Sequence, residues 1–496
     1  MKVTFLALVA LVSLAVTAAA QGSVAEQASQ AETRIESSAV PITTSSAEGR
    51  QLYLEAQKLA DEFHFTDAHA KYDEAIAADG DFALAYYGRA LSAPTAAAFF
   101  EDLEKAVARV DHASPAEQHM ILALQAGTNS DPEGQLKHLN ALVAAYPQDA
   151  RPHFLLANYY NGRQEYQPAI EHYARAVELD PGFTPAYNVM GYAYRTLGRY
   201  DDAERAFKKY IELQPNEPNP YDSYAEFLMK TGRFDESITA YRKALGADPA
   251  FTFSFIGIGN DQILQGRPED ARATFKEFYD KAVNDGLRRT ALFWTAASYV
   301  HEWKRDDALA TIRRMSAIAE KSGDLAALSG DHVLAAGVLL ETGGSPDEAL
   351  AEFRKAVEVI ERADVSEDVK EATRRNNLFG EALVAIRRGD AAEAKSLTEA
   401  YRAKVEPLNV AFEVQQVHEL NGRIAMLESK PDVAVTELEQ SNQQDPRNLW
   451  ALSKAYEAKG DHERARELAK DTADFNQLSF PYAYVRGEAR KAVGES

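Results

Sequence analysis

Apolar and polar residues alternate along this chain with the period of an amphipathic helix, and the pattern recurs every 34 residues. Prolines mark the period most clearly, because Pro147, Pro181, Pro215 and Pro249 are spaced 34 residues apart. Each proline follows a helical segment that it cannot continue, since its ring clashes with the preceding turn and it lacks a backbone N–H. A repeat of this length predicts a stack of similar units rather than one compact core.

Each repeat contains two helices joined by a tight turn. In the second helix, a small residue and an aromatic residue are spaced four apart, which places both on one face. The small residues are Ala169, Ala203 and Ser237, and the aromatic residues are Tyr173, Phe207 and Tyr241. The first helix has its own small residues for close approach, namely Ala157, Gly191, Ala225 and Gly259. Glycine at 198, 232 and 266 ends the first helix.

These residues resemble the tetratricopeptide repeat family. One unit carries nearly the whole family pattern, in Tyr187, Met190, Gly191, Tyr194, Gly198, Tyr200, Ala203, Phe207 and Pro215. The chain departs from it at Tyr210, where the family usually has alanine, and at Gln164, which replaces a turn glycine. The resemblance implies an all-α fold, a right-handed superhelical solenoid of stacked helix-turn-helix hairpins. About twelve hairpins are expected, several of them longer than the basic repeat.

The expected organisation has five parts. They are a signal peptide (1–20), a flexible leader (21–47), an N-terminal array (48–285, clearest at 150–251), a more divergent C-terminal array (286–475), and a capping helix with a tail (476–496). The leader is rich in Ser, Thr, Ala and Gln, so it has too little apolar surface to offset its ordering entropy. A terminal helix over Tyr482–Ala492 is expected because an end repeat otherwise exposes an apolar face.

The N-terminus predicts export. Lys2 precedes an apolar run from Val3 to Val16, and Ala18–Ala20 completes the three parts of a secretory signal peptide, with cleavage after Ala20. The run is shorter than the roughly 20 residues of a membrane span, so no stable span is expected after cleavage. An uncleaved signal anchor is the alternative. The chain is therefore expected to be periplasmic or secreted, and the absence of Asn-x-Ser/Thr acceptors favours a bacterial periplasm.

Composition and motifs argue against several kinds of chemistry. The formal charge of −22 disfavours nucleic acid, and the absence of cysteine removes disulfides and thiolate sites. His301-Glu302 and His418-Glu419 lack the second histidine of a metalloprotease motif. No Gly-x-Ser-x-Gly elbow or phosphate loop occurs. The expectation is a non-catalytic protein without cofactor or metal; an unrecognised helical active site is the less favoured alternative.

The family resemblance also implies a concave groove lined by the first helix of each unit. The corresponding positions here are Phe154, Asn158, Asn161, Asn188, Tyr192, Arg195, Asp222, Glu226, Lys230 and Asn260. Asparagine amides can donate to and accept from a peptide backbone, and Phe154 and Tyr192 could hold an apolar side chain. Asparagine tolerated on a solvated face is the alternative. The family's carboxylate clamp is not expected, because its lysines are missing and Asp222 and Glu226 would repel the ligand.

The leading hypothesis is a protein–protein interaction scaffold or adaptor of the cell envelope that binds a protein or peptide segment in the groove. A basic or amphipathic segment is favoured by the acidic charge. An assembly factor within an outer-membrane biogenesis or polysaccharide-export machine is the alternative. The sequence does not predict the partner's identity or the oligomeric state.

Overall fold

A computed structural model describes residues 39–129, 131–408, 410–477 and 479–494. Within these ranges the chain forms 25 α-helices and two short 3-10 segments, and it has no β-strand. The prediction of an all-α helical solenoid is confirmed. None of the described helices combines the length and the apolar character needed to cross a bilayer. The predicted signal peptide and most of the predicted leader are outside the described residues.

Consecutive helices pair into twelve hairpins, and the chain divides into two compact units between Phe227 and Leu228. The N-terminal unit contains α1 (Ala47–Asp61), α2 (Phe65–Ala78), α3 (Ala83–Leu91), α4 (Ala96–Val107), α5 (Pro115–Thr128), α6 (Pro132–Ala145), α7 (Ala150–Gly162), α8 (Tyr166–Leu179), α9 (Thr184–Thr196), α10 (Tyr200–Leu213) and most of α11 (Pro218–Lys230). Odd-numbered helices are the first of each hairpin.

The C-terminal unit begins within the last turn of α11. It continues with α12 (Phe234–Ala247), α13 (Phe253–Leu264), α14 (Pro268–Lys281), α15 (Asp285–His301), α16 (Arg305–Ser322), α17 (Leu325–Glu341), α18 (Pro346–Glu361), α19 (Glu367–Arg388), α20 (Ala391–Val405), α21 (Ala411–Leu427), α22 (Pro431–Leu438), α23 (Pro446–Lys459), α24 (His462–Ala473) and α25 (Phe480–Val493). The last of these helices has no hairpin partner.

Small residues on the first helix let the aromatic rings of the second helix pack beneath it, as the repeat pattern predicts. A Cβ atom added at Gly191 would lie 2.8 Å from the ring of Phe207, and one added at Gly259 would lie 2.2 Å from the ring of Phe275. Both rings are fully buried. A side chain at either glycine would therefore push the two helices apart, which explains the regular spacing of glycine and aromatic residues.

The N-terminal unit curves until its first hairpin meets its last helices. His64 Nε2, in the turn between α1 and α2, lies 2.9 Å from the Glu217 carboxylate just before α11. Tyr210, where the family pattern has alanine, is fully buried nearby, and its hydroxyl donates to Asn219 Oδ1 at 3.0 Å. Burial raises the pKa of Tyr210 well above its usual value, and the Asp61 carboxylate on α1 raises it further. Tyr210 thus contributes to the closure of this unit.

Residues 39–46 form an extended segment against the N-terminal unit, whereas the sequence predicts a flexible leader through residue 47. Three backbone amides each donate to a carboxylate at 2.7 Å, Val40 to Asp149, Thr43 to Glu117 and Ser45 to Asp79. The Val40 and Ile42 side chains pack on the apolar cluster of the first hairpins. The composition suits a disordered segment, but carboxylates at three hairpin junctions satisfy its backbone.

The boundary between the units differs from the predicted one at 285. The helices do lengthen there, from 12–14 residues in α7–α14 to 15–22 residues in α15–α21. However, α25 packs back against α15 and binds the end of α13. This contact joins helices before residue 285 to the C-terminal unit.

Candidate functional site

A cavity of about 250 Å³ lies in the N-terminal unit, where α3, α5, α6 and α7 converge. Its wall is mostly apolar, formed by Tyr87, Leu91, Met120, Ala123, Leu124, Pro132, Leu139, Leu155 and Tyr159. Gln135, Asn158 and Arg163 add polar groups, and Gly162 completes the lining. A concave apolar site with a few polar groups is the usual form of a ligand pocket.

The repeat register explains which side chains line this cavity. Leu155, Asn158, Tyr159 and Gly162 are spaced three and four residues apart, so they share one face of α7. Shifting Asn158 back by one repeat of 34 residues gives Leu124 on α5, which lines the cavity too. The same face of successive first helices therefore contributes to a common surface.

Asn158 is the predicted groove residue that lines this cavity. Its Oδ1 accepts a hydrogen bond from the Tyr173 hydroxyl at 2.7 Å, which fixes the orientation of the amide. Among the described residues, its Nδ2 has no hydrogen-bond acceptor. Arg163 donates from Nε to Glu165 at 2.8 Å, and its guanidinium lies 5.7 Å from the Tyr159 ring centroid. The cavity thus combines apolar side chains, one oriented amide and one paired cation.

Three other predicted groove residues come together between α9 and α11. The Arg195 guanidinium lies 4.6 Å from the Tyr192 ring centroid, and its Nη1 is 3.4 Å from Glu226 Oε2. Burial raises the pKa of the Tyr192 phenol well above its usual value, and the Glu226 charge adds to the effect. Asp222 is half-buried on the same helix as Glu226. This surface is amphipathic, with an aromatic ring beneath a neutralised ion pair.

Family models of the tetratricopeptide repeat match three stretches of the chain, residues 122–182, 184–217 and 219–251. The chain is a tetratricopeptide repeat protein. The matched stretches run from α5 to α12 and so include the α5, α6 and α7 walls of the cavity and the α9–α11 surface. No curated protein matches the sequence.

Several solved structures of tetratricopeptide repeat proteins are similar to parts of this chain. A MamA protein shares 23% identity, covers 33% of this chain and 88% of its own, and has a TM-score of 0.30. A MamA fragment from Desulfovibrio magneticus RS-1 shares 16% identity over 33% of this chain and 93% of its own, also with a TM-score of 0.30. YrrB, described as a TPR protein with an unusual peptide-binding site, shares 19% identity over 36% and 91%, with a TM-score of 0.28.

Three residues predicted for the tetratricopeptide groove are interior residues in the structure. Phe154 is fully buried, with its ring centroid 5.1 Å from that of Phe183. Asn188 is 6% exposed and donates to Asn219 at 3.4 Å. Asn260, in the C-terminal unit, is 5% exposed and donates to the Ile256 carbonyl at 2.9 Å. The repeat register identifies the helix face correctly, but part of that face packs against the next hairpin.

The remaining predicted positions are accessible only in part. Asn161 is half-buried near the end of α7 and is not among the residues that line the cavity. Lys230, at the end of α11, donates to the Phe475 carbonyl. The cavity residues Tyr87, Met120 and Tyr159 were not predicted. Their signal was the 34-residue register carried back into α5 and α3, where the repeat pattern is weaker.

A buried arginine is a further feature that the sequence does not reveal. Arg151, in the first turn of α7, is 3% exposed. Its Nε, Nη1 and Nη2 have no hydrogen-bond acceptor among the described residues. Burial raises the pKa of Asp61 well above its usual range, and the nearby Arg151 charge partly offsets that rise. The interior of this unit therefore contains a positive charge despite the acidic composition.

Two histidine pairs repeat with the tetratricopeptide period. The Nδ1 atoms of His119 and His138 are 2.9 Å apart, and those of His153 and His172 are 3.3 Å apart. Burial lowers the pKa of His172, and its neighbour His153 lowers it further. In the described ranges, no three or more potential metal ligands converge. Each pair thus provides two facing nitrogens that can share one proton.

Proposed function

We propose that this protein is a non-catalytic scaffold of the cell envelope that binds a segment of a partner protein on its N-terminal unit. The tetratricopeptide repeats indicate a protein–protein interaction scaffold. The single observation that carries the finer proposal is the cavity between α3, α5, α6 and α7. Interfaces gain most of their affinity where one apolar or aromatic anchor enters a dry pocket, and this cavity offers such a pocket.

The polar groups of the cavity favour a peptide as the ligand. Because Tyr173 occupies Asn158 Oδ1, the Asn158 Nδ2 group is left to donate to a backbone carbonyl of the ligand. Tyr87 and Tyr159 present large aromatic surfaces that lose little side-chain entropy on binding. An aliphatic or aromatic side chain in the cavity, with its backbone held at Asn158, fits both features.

The acidic composition favours a partner segment with basic residues around its apolar anchor. The chain has a formal charge of −22, and opposite charge on a partner speeds association and suppresses wrong partners. The envelope location rests on the predicted signal peptide of residues 1–20, which is outside the described residues.

Site-specific cross-linking in envelope-containing cells tests this proposal. The photoreactive residue p-benzoylphenylalanine replaces Tyr159 in the cavity or, as a matched control, the exposed Tyr200 at the start of α10. We expect a discrete cross-linked partner from position 159 and none from position 200. Cross-links from position 200 alone would place the interaction elsewhere on the molecule.

A cavity-filling substitution then tests whether the cavity itself holds the anchor. Ala123→Phe places a ring in the cavity, whereas Ala144→Phe adds the same ring at an exposed position on α6. We expect Ala123→Phe to abolish cross-linking from position 159, with circular dichroism unchanged, and Ala144→Phe to leave it intact. A partner retained equally by both variants would contradict binding in the cavity and would favour an assembly factor held through other surfaces.

A further inference from the structure

The first-helix face of the C-terminal unit is occupied by the chain's own helix α25. Four residues near the start of α25 (Phe480, Tyr482, Tyr484 and Val485) are buried in one apolar cluster. The residues that they meet come mainly from first helices of hairpins, including Met229 (α11), Leu264 (α13), Ala296, Ala297 and Val300 (α15) and Val338 (α17). This is the face that the repeat register assigns to the groove, so the groove of this unit already holds a helical ligand.

Aromatic contacts align α25 on this face. The Phe480 ring centroid lies 5.0 Å from that of Phe293 on α15. The Tyr482 ring lies edge-on to His301 at 6.2 Å. Burial lowers the pKa of His301 to about 3, and the Arg486 charge contributes to the decrease. His301 is therefore neutral at physiological pH and presents an uncharged surface to the aromatic face of α25.

Two cations anchor the occupant through backbone carbonyls. Arg486 of α25 donates from Nη2 to the Leu264 carbonyl at 2.7 Å, at the last residue of α13. Carbonyls at a helix C-terminus lack intrahelical donors and carry partial negative charge, so a guanidinium is favoured there. Lys230 donates to the Phe475 carbonyl at 2.5 Å and lies 4.5 Å from the Phe475 ring centroid. Side-chain donors that contact backbone oxygen do not depend on the identity of the residue that supplies it.

The chemistry of α25 defines what this face recognises. Its first turns are aromatic, and its second half carries three cations (Arg486, Arg490 and Lys491) against one anion, Glu488. On the groove side, the Glu341 carboxylate at the end of α17 is close enough to Tyr484 to add to the rise that burial causes in the pKa of that phenol. An amphipathic helix with an aromatic face and a basic second half complements this surface.

We propose that the first-helix face of the C-terminal unit is a helix-binding surface, and that a partner helix with the chemistry of α25 displaces α25 from it. The apparent dissociation constant for such a helix equals its intrinsic constant divided by the fraction of molecules in which α25 is undocked. Any substitution in α25 that raises this fraction therefore tightens binding of an external helix in the same proportion. This surface is separate from the cavity of the N-terminal unit and does not depend on it.

The test measures binding of a labelled synthetic peptide spanning residues 479–494 to the full-length chain, by fluorescence anisotropy. Arg486→Ala removes one charge-assisted hydrogen bond to the groove and should raise the undocked fraction about tenfold or more. Lys491→Ala is the matched control, because it removes one charge from the same helix at a side chain that is 73% exposed and paired within α25 to Glu488. We expect Arg486→Ala to bind the peptide about tenfold more tightly than the wild type, and Lys491→Ala to bind as the wild type does.

Hydrogen exchange of the α25 amides verifies that a substitution has undocked the helix. If Arg486→Ala leaves their protection unchanged, Phe480→Ala, which removes the contact with Phe293, is the second variant. Binding must also be lost when Phe480, Tyr482 and Tyr484 of the peptide are replaced by alanine. The proposal is overturned if an undocked chain does not bind the peptide, or if it instead forms dimers that exchange α25.

Discussion

The turn between the two helices of a hairpin places one residue in the left-handed backbone region. Glycine occupies this position in several hairpins, as Gly198 does with φ +70°, but Gln164 adopts φ +64° at the equivalent position one repeat earlier. A side chain in this conformation costs roughly 1–2 kcal/mol, which glycine avoids. Both residues are exposed, so the backbone conformation dominates the difference between them.

Exchanging these two residue types tests the cost directly. We expect Gln164→Gly to raise the free energy of unfolding of the N-terminal unit by about 1 kcal/mol, and Gly198→Gln to lower it by a similar amount. Urea unfolding followed by circular dichroism measures both. The same sign for the two variants would contradict a backbone origin.

Asp261 on α13 is a buried acid whose titration should dominate the local pH dependence. Burial raises the pKa of its carboxyl from 3.8 to about 8, partly offset by the Ser237 hydroxyl. Between these values the folded state keeps a proton that the unfolded state has lost. The free energy of unfolding therefore falls as pH rises from about 4 to about 8, by up to about 1.4 kcal/mol per pH unit from this group.

The substitution Asp261→Asn keeps the shape of the side chain and removes the titration. Relative to the wild type, we expect its stability advantage to be small at pH 4 and to grow up to pH 8, as measured by urea unfolding at each pH. Asp306→Asn is the control, since its side chain is almost fully exposed. An advantage that does not change with pH would show that the Asp261 carboxyl titrates normally.

At the scale of elements, the hairpins were predictable because packing acts between neighbours in sequence. Gly191 and Phe207 belong to one hairpin, and their spacing alone indicates the contact. The extended segment before α1 was not predictable in the same way. Val40 meets Asp149, which follows it by 109 residues, and the sequence contains no local signal for that pairing. The return of α25 to α13 and α15 was equally invisible, although the helix itself was expected.

The extended segment makes a testable element because one carboxylate holds several of its groups. Asp79 accepts from the Thr44 hydroxyl at 2.6 Å and from the Ser45 amide at 2.7 Å. We expect Asp79→Ala to speed hydrogen exchange of the Ser45 amide about tenfold or more, because a charged hydrogen bond is lost. Asp81→Ala, at an exposed carboxylate nearby, is the control. Unchanged exchange would show that the packing of Val40 and Ile42 is sufficient to hold the segment.

The candidate site was predictable to a similar extent. The family register places Asn158 and Tyr192 on the first-helix face, but it cannot distinguish a position that lines a cavity from one that packs on the next hairpin. Phe154 and Asn158 are one turn apart on α7, yet Phe154 is core and Asn158 lines the cavity. The difference is set by the curvature of the N-terminal unit, which depends on contacts such as His64 with Glu217.

At the scale of the whole molecule, stability in a repeat array is a sum of local terms rather than one cooperative quantity. The chain divides into two compact units, and each has its own buried aromatic cores. All three tryptophans, Trp294, Trp303 and Trp450, belong to the C-terminal unit. Tryptophan fluorescence therefore reports on that unit alone, while circular dichroism reports on the helices of both.

This asymmetry lets a single core substitution reveal whether the units unfold separately. Phe207→Ala opens a cavity beneath Gly191 in the N-terminal unit and should cost about 3–5 kcal/mol there. We expect an early urea transition in circular dichroism, with the fluorescence transition unchanged. Phe275→Ala makes the equivalent change beneath Gly259 in the C-terminal unit and should shift the fluorescence transition instead. If Phe207→Ala moves both signals together, the array unfolds as one cooperative block, because coupling through α11 then exceeds the difference in stability between the units.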